Sequence, residues 1–141
     1  MKTTTKTKKR RKGKYHRGDY TSSKSGVTYR YRSGWELQYM QFLDLDPTVF
    51  EWSYETSSIT YISNKSTGRT RKYIPDFQVK YLDGRQELVE IKPKRKLSGL
   101  LVQKKITAAK EWCEAHQIAF KIITEVELKA ISINIIEASY D

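Results

Sequence analysis

Cysteine, histidine and long apolar runs are all scarce in this chain, and each shortage narrows what it can be. Cys113 is the single cysteine, so no internal disulfide forms and the fold must hold by packing alone. The two histidines, His16 and His116, lie far apart and make no zinc-binding pattern. No stretch approaches about eighteen consecutive apolar residues, so no membrane-spanning helix is expected. The basic N-terminus lacks the apolar segment of a secretion signal. No glycine-rich phosphate loop is present, which leaves ATP use unsupported. Acids are nearly missing from residues 1–32, where Asp19 stands alone against twelve Lys and Arg.

What is present is enough for one folded domain. The 141 residues are 38% hydrophobic, sufficient to bury a core. The net charge of +11 resides wholly in residues 1–32, because residues 33–141 hold fifteen charges of each sign. Residues 1–26 read as a basic flexible arm and residues 27–141 as a single domain. Inside that domain, residues 65–105 carry twelve basic side chains against four acidic ones. A basic arm and a basic central patch together point to a polyanionic partner, nucleic acid above all. The arm's Lys8, Lys9, Arg10, Arg11 and Lys12 would neutralise phosphates but read little sequence. A purely solubilising tail is the plainer alternative.

The hydrophobic pattern gives an α/β order. Trp35, Tyr39 and Phe42 recur at helical spacing from Ser33 to about Asp44, and Pro47 closes that helix. VFEWSYE and SSITYIS read as strands, NKSTGRTRK as a basic loop, and KYIPDFQVKY and RQELVEIKPK as two strands around Asp83-Gly84. A second helix starts at Ser98 or Gly99 and runs to about His116, with Val102, Ile106, Ala109 and Cys113 as its apolar stripe. IAFKIIT is a further strand. From Glu125 onward the pattern fits helix and strand equally.

The carboxylates in the middle hairpin are out of place in segments otherwise suited to burial. A three-residue loop of Leu82, Asp83 and Gly84 would pair Tyr81 with Arg85 and set Asp76 directly across from Glu90. Phe77, Val79 and Tyr81 would then share one face with Val89 and Ile91. Asp76, Gln78 and Lys80 would share the other with Leu88, Glu90 and Lys92. Two facing carboxylates repel, and a divalent cation such as magnesium or manganese removes that cost. Lys92 beside them could support an attacking water or a phosphate oxygen. The competing reading is a solvated strand face with a Lys92 ion pair. Glu36, three residues after Ser33, fits a capping box, a role compatible with reaching a metal.

These motifs, WE in RSGWELQY, then IPDF, then VEIKPK with a helix behind it, resemble the PD-(D/E)xK nuclease superfamily over about residues 30–124. They are most similar to TnsA-like endonucleases and to small nucleases of tailed phages. The resemblance implies a restriction-endonuclease-like core, a mixed four- to five-stranded sheet flanked by helices. It implies magnesium-dependent hydrolysis of DNA phosphodiesters to 5′-phosphate ends, in the host cytoplasm if phage-encoded. Glu36, Asp76 and Glu90 would be metal ligands together with the Ile91 backbone carbonyl, and Lys92 the catalytic lysine. TnsA itself has glutamine at the place of Glu90, so this chain fits the wider superfamily pattern better. Its length leaves no room for a sizeable second region of the TnsA kind, which favours a phage or mobile-element DNA-processing nuclease of head-completion or branched-DNA type. A homodimer would suit double-strand cutting, and a phage or transposition protein is a further expected partner. The alternative is a nucleic-acid-binding accessory or packaging protein that does not cut.

Arg69, Arg71 and Lys72 approach the Asp76 strand, while Lys94, Arg95 and Lys96 leave the Glu90 strand; both sets could hold DNA phosphates. Gln103, Lys104 and Lys105 open the second helix, and one of them could touch the scissile strand. Tyr15, Tyr20, Tyr29 and Tyr31 interleave with charge and could stack on exposed bases, or belong to the core.

Overall fold

A computed structural model describes residues 17–140, with side chains described through Ser132. Strands β1 (Gly18–Thr21) and β2 (Thr28–Tyr31) form an antiparallel hairpin that leads into helix α1 (Gly34–Leu45). There follow β3 (Val49–Tyr54), β4 (Ile59–Asn64), β5 (Arg69–Tyr73), β6 (Phe77–Tyr81) and β7 (Gln86–Ile91). A short 3-10 turn (Lys94–Lys96) precedes α2 (Leu100–Ala115), β8 (Ala119–Ile123) and α3 (Glu125–Tyr140).

The main sheet runs β3-β6-β7-β8. Its first three strands are antiparallel neighbours, and β8 joins β7 in parallel after the α2 crossover. The alternation of side chains sorts the core. Phe77, Val79 and Val89 meet Tyr39, Met40 and Leu43 of α1 and Leu128 and Ile131 of α3 on one face. Leu88 points the other way, toward Ala109 and Cys113 of α2 and toward Ile59 and Tyr73 of the β4–β5 ribbon. The result is an α/β layering with a mixed four-stranded sheet between helices, a restriction-endonuclease-like core. No helix among the described residues is long and apolar enough to cross a membrane. Cys113 is buried, and burial pushes its thiol up to about 11, so it acts as a packing group.

The structure places three of these segments more closely than the pattern does. Residues 18–26 form most of the β1–β2 hairpin, while residues 1–16, Lys8–Lys12 and Tyr15 among them, lie outside the described residues. Tyr20, Tyr29 and Tyr31 pack inward: Tyr31 is buried, and Tyr20 and Tyr29 lie against Trp52, so none of the three is a free base platform. KYIPDFQVKY is two strands, because Ile74, Pro75 and Asp76 break the ladder and hand the chain from the β4–β5 ribbon to the main sheet. The ambiguous C-terminal segment is helical.

One half-buried acid fastens the hairpin. Asp44 near the end of α1 accepts hydrogen bonds from the Tyr20 hydroxyl (2.6 Å), the Ser22 hydroxyl (2.8 Å), the Ser23 amide (2.8 Å) and the Trp52 indole (2.8 Å). Burial alone would raise its pKa, but these donors outweigh it and hold the carboxyl below its ordinary value. Asp44→Ala leaves those donors without their acceptor, and a loss of about 3 kcal/mol in denaturant unfolding is expected. Hydrogen exchange in residues 18–31 should rise with it, and an unchanged unfolding midpoint would contradict this role.

Candidate active site

The site is built where two strands and the break before β6 meet. Phe77 pairs with Val89 and Lys80 with Gln86, and the Tyr81 amide donates to the Arg85 carbonyl at 2.9 Å. Gly84 takes the left-handed conformation (φ 92°) that the three-residue loop requires. Continued one step past Phe77, this register sets Asp76 across from Glu90, as the side-chain pattern requires. Asp76 Oδ2 accepts from the Ile91 amide at 2.7 Å. Lys92 Nζ stands 3.6 Å from Glu90 Oε2.

Both acids are largely withdrawn from water. Burial, then the Glu90 charge, pushes Asp76 up to about 8, against the Ile91 amide; Glu36 and Glu55 add further upward pressure. Burial also raises Glu90, opposed by the Tyr73 hydroxyl, Lys92, the Asp76 amide and Lys105. Two desolvated carboxylates at close quarters cannot both ionise at low cost without a counter-charge. Such a pair could hold a divalent cation, which would supply that counter-charge.

Glu36 occupies the third position of α1 and does what the capping pattern predicts with a small offset. Its amide donates to Ser33 Oγ at 3.1 Å, while its Oε1 accepts from the Arg32 amide at 2.7 Å rather than from that of Ser33. Among the described residues no three His, Cys, Asp or Glu side chains stand together as a ready metal cage. Glu55 follows β3 in a left-handed backbone (φ 55°), donates its amide to the Asp76 carbonyl at 2.8 Å and forms an ion pair with Arg32. Arg32 thus holds Glu55 with its side chain and Glu36 with its amide.

The family model described as TnsA-like endonuclease N terminal matches residues 46–125. The chain belongs to this family. With it comes membership of the PD-(D/E)xK nuclease superfamily. The head completion nuclease of Enterobacteria phage T4 is 29% identical over 123 residues, covering 72% of this chain and 81% of that protein. In this TnsA-like chain the matched span contains Asp76, Glu90, Ile91 and Lys92, whereas Glu36 precedes it.

The structure also distributes the basic residues. Arg69, Arg71 and Lys72 lie exposed on β5, and Lys94, Arg95 and Lys96 lie exposed in the 3-10 turn after β7. Gln103 and Lys104 line a groove between α2 and β4, whereas Lys105 lines the small cleft that holds Tyr73, Glu90 and Lys92. Of the three helix candidates, Lys105 is the one beside the carboxylates.

Tyr73 is not legible in the sequence as part of the site. It is 7% exposed and donates its hydroxyl to Glu90 Oε1 at 2.7 Å. The pattern puts it in the same strand as Asp76, so nothing aims it across the sheet at Glu90. With Tyr73 on one oxygen and Lys92 near the other, the Glu90 carboxylate is held in one orientation. Tyr73→Phe should weaken apparent magnesium affinity about tenfold, read by calorimetric titration, with DNA affinity retained. Equal metal affinity in the variant would remove Tyr73 from the site.

Proposed function

We propose that the chain is a magnesium-dependent DNA endonuclease that hydrolyses phosphodiester bonds and leaves 5′-phosphate ends. The observation that carries this reading is the pair of largely withdrawn carboxylates, Asp76 and Glu90, set across one hairpin with Lys92 beside Glu90. Magnesium is commonly bound by one or two carboxylates, with water and phosphate oxygens completing its shell, so a two-acid set fits it. Asp76 and Glu90 would hold the ion with the Ile91 carbonyl and Glu36 as further ligands, and manganese would substitute.

Bound magnesium supplies positive charge to the scissile phosphate and acidifies water. Lys92 donates hydrogen bonds to the attacking water or to a phosphate oxygen, and Glu90 keeps its ammonium in place. Lys105 adds a second cation to the same cleft, where charge builds on the phosphate in the transition state. Tyr73 and the Ile91 amide fix the two carboxylates, so little reorganisation is needed during reaction.

The likeness to a phage head completion nuclease supports a role in phage or mobile-element DNA processing, in the cytoplasm of a host cell. A homodimer would serve cutting of both strands, and a phage or transposition protein could direct it. The direct test incubates the purified chain with supercoiled, linear and branched DNA. Cutting with Mg²⁺ or Mn²⁺, abolished by EDTA and leaving ligatable 5′-phosphates, is the expected result. No cutting of any substrate with either ion would overturn the reading.

One observation favours a second reading, a chain that keeps the fold and binds nucleic acid without cutting: among the described residues no third acidic side chain closes onto the Asp76–Glu90 pair. Under both readings residues 1–17, with nine Lys and Arg, neutralise DNA phosphates. Their deletion should weaken DNA binding and flatten its salt dependence, by up to about 0.9 in log–log slope for each phosphate left without its cation. An unchanged slope would leave the arm without a DNA role.

A further inference from the structure

The geometry points to a second nucleic-acid site, a groove between α2 and the β4–β5 ribbon that takes an unpaired DNA strand running out of the active cleft. The groove has a volume of about 890 Å³, and its lining includes Tyr61, Trp112, Lys65 and Lys104. That lies within the roughly 300–1,000 Å³ of sites that enclose small ligands or short segments. Tyr61 and Trp112 are both half-exposed, and each packs on the α2 cluster from its own element, so their positions are fixed before any ligand arrives.

The lining chemistry selects the occupant. Lys65 and Lys104 face a single acid, Glu111, in the lining. Arg71 stands across the ladder from Tyr61 and therefore on the same face of the ribbon, with Arg69 across from Asn64 at its tip. Aromatic rings interleaved with cations bind strands whose bases are open to stacking and whose phosphates lie beside them. A duplex keeps its base faces stacked inside and offers those rings nothing. Position links the groove to the proposed chemistry: Lys104 lines the groove, while the next residue, Lys105, lines the cleft with Glu90 and Lys92. The two linings therefore adjoin along α2 at Lys104 and Lys105. The substrate class so named is DNA carrying a single-stranded branch or end, an inference that rests on the nuclease reading for its purpose but not for its binding.

The test measures binding by fluorescence anisotropy, with the whole chain in EDTA, so that its outcome is independent of whether the chain cuts. The probes are an oligo-dT of about twelve nucleotides and a blunt duplex of matching length. Tyr61→Ala should weaken oligo-dT binding by at least about fivefold and leave duplex binding within twofold, and Tyr61→Phe should restore it. Lys104→Glu should do the same as Tyr61→Ala, through the phosphates. Unchanged oligo-dT binding in both alanine and glutamate variants would overturn the proposal. So would a parallel fall on both probes, which would make the groove a general phosphate-binding surface. A wild-type dimer that Tyr61→Ala dissociates, with no effect on either probe, would assign the groove to a second copy of the chain and also reject it.

Discussion

Alanine in place of Lys92 is expected to slow DNA cleavage by about a hundred- to a thousandfold while DNA affinity stays within about threefold. The size follows from position. Lys92 is one ammonium among many on a basic chain, so its share of overall phosphate attraction is small. It is also the cation beside Glu90 Oε2, 3.6 Å away, in a half-buried cleft where charge is poorly screened. On the nuclease reading, charge developing on the scissile phosphate would therefore depend on it far more than ground-state binding does. Glu90→Ala should be at least as severe, because it removes half of the paired acids and strips Lys92 and Tyr73 of their common partner. Single-turnover cleavage at saturating chain, alongside anisotropy without metal, separates the two effects. Cutting that persists in both variants would reject the assignment of these residues.

Asp76→Asn should abolish cutting and yet stabilise the metal-free chain at pH 8. The sign follows from linkage. Asp76 is raised in the folded state from 3.8 to about 8, so the folded form binds its proton more tightly than the unfolded form does. Below about pH 4 the group is protonated in both states and contributes nothing. As pH rises from about 4 to 8 the unfolded chain ionises freely while the folded one resists, and stability falls. Asparagine has no charge to bury and keeps an oxygen for the Ile91 amide. A gain of several kcal/mol at pH 8, fading as pH falls toward 4, is expected in denaturant unfolding. Magnesium should restore much of that stability to the wild-type chain at pH 8 and none to the variant. A wild-type chain whose metal-free stability is flat from pH 4 to 8 would contradict the buried-pair geometry.

Most of what positions the site could be read from local chemistry. Gly84 in its left-handed turn, the alternation of Phe77 and Val79 against Gln78 and Lys80, and the Ser33 cap on α1 are all decided within a few residues, and each formed as the pattern requires. What escaped depends on distant partners. The β1–β2 hairpin looks like the continuation of a basic tail, because its anchor, Asp44, lies more than twenty residues downstream. The break at Pro75 is a choice between two sheets, which strand propensity does not register. Tyr73 and Lys105 join the site only because the β4–β5 ribbon and α2 fold over the same face of β7. In the C-terminal segment, EVELKA can open a helix, while Ile131, Ile133 and Ile135 alternate as a strand would, and packing of Leu128 and Ile131 against α1 decides for the helix.

The most direct measurement is an anomalous-diffraction crystal structure of the chain soaked in manganese. A single strong peak is expected between the carboxylates of Asp76 and Glu90, about 2.0–2.3 Å from an oxygen of each, with Lys92 facing it. Manganese bound elsewhere, or the two side chains turned to opposite sides of the sheet with no shared ion, would contradict the account at its base.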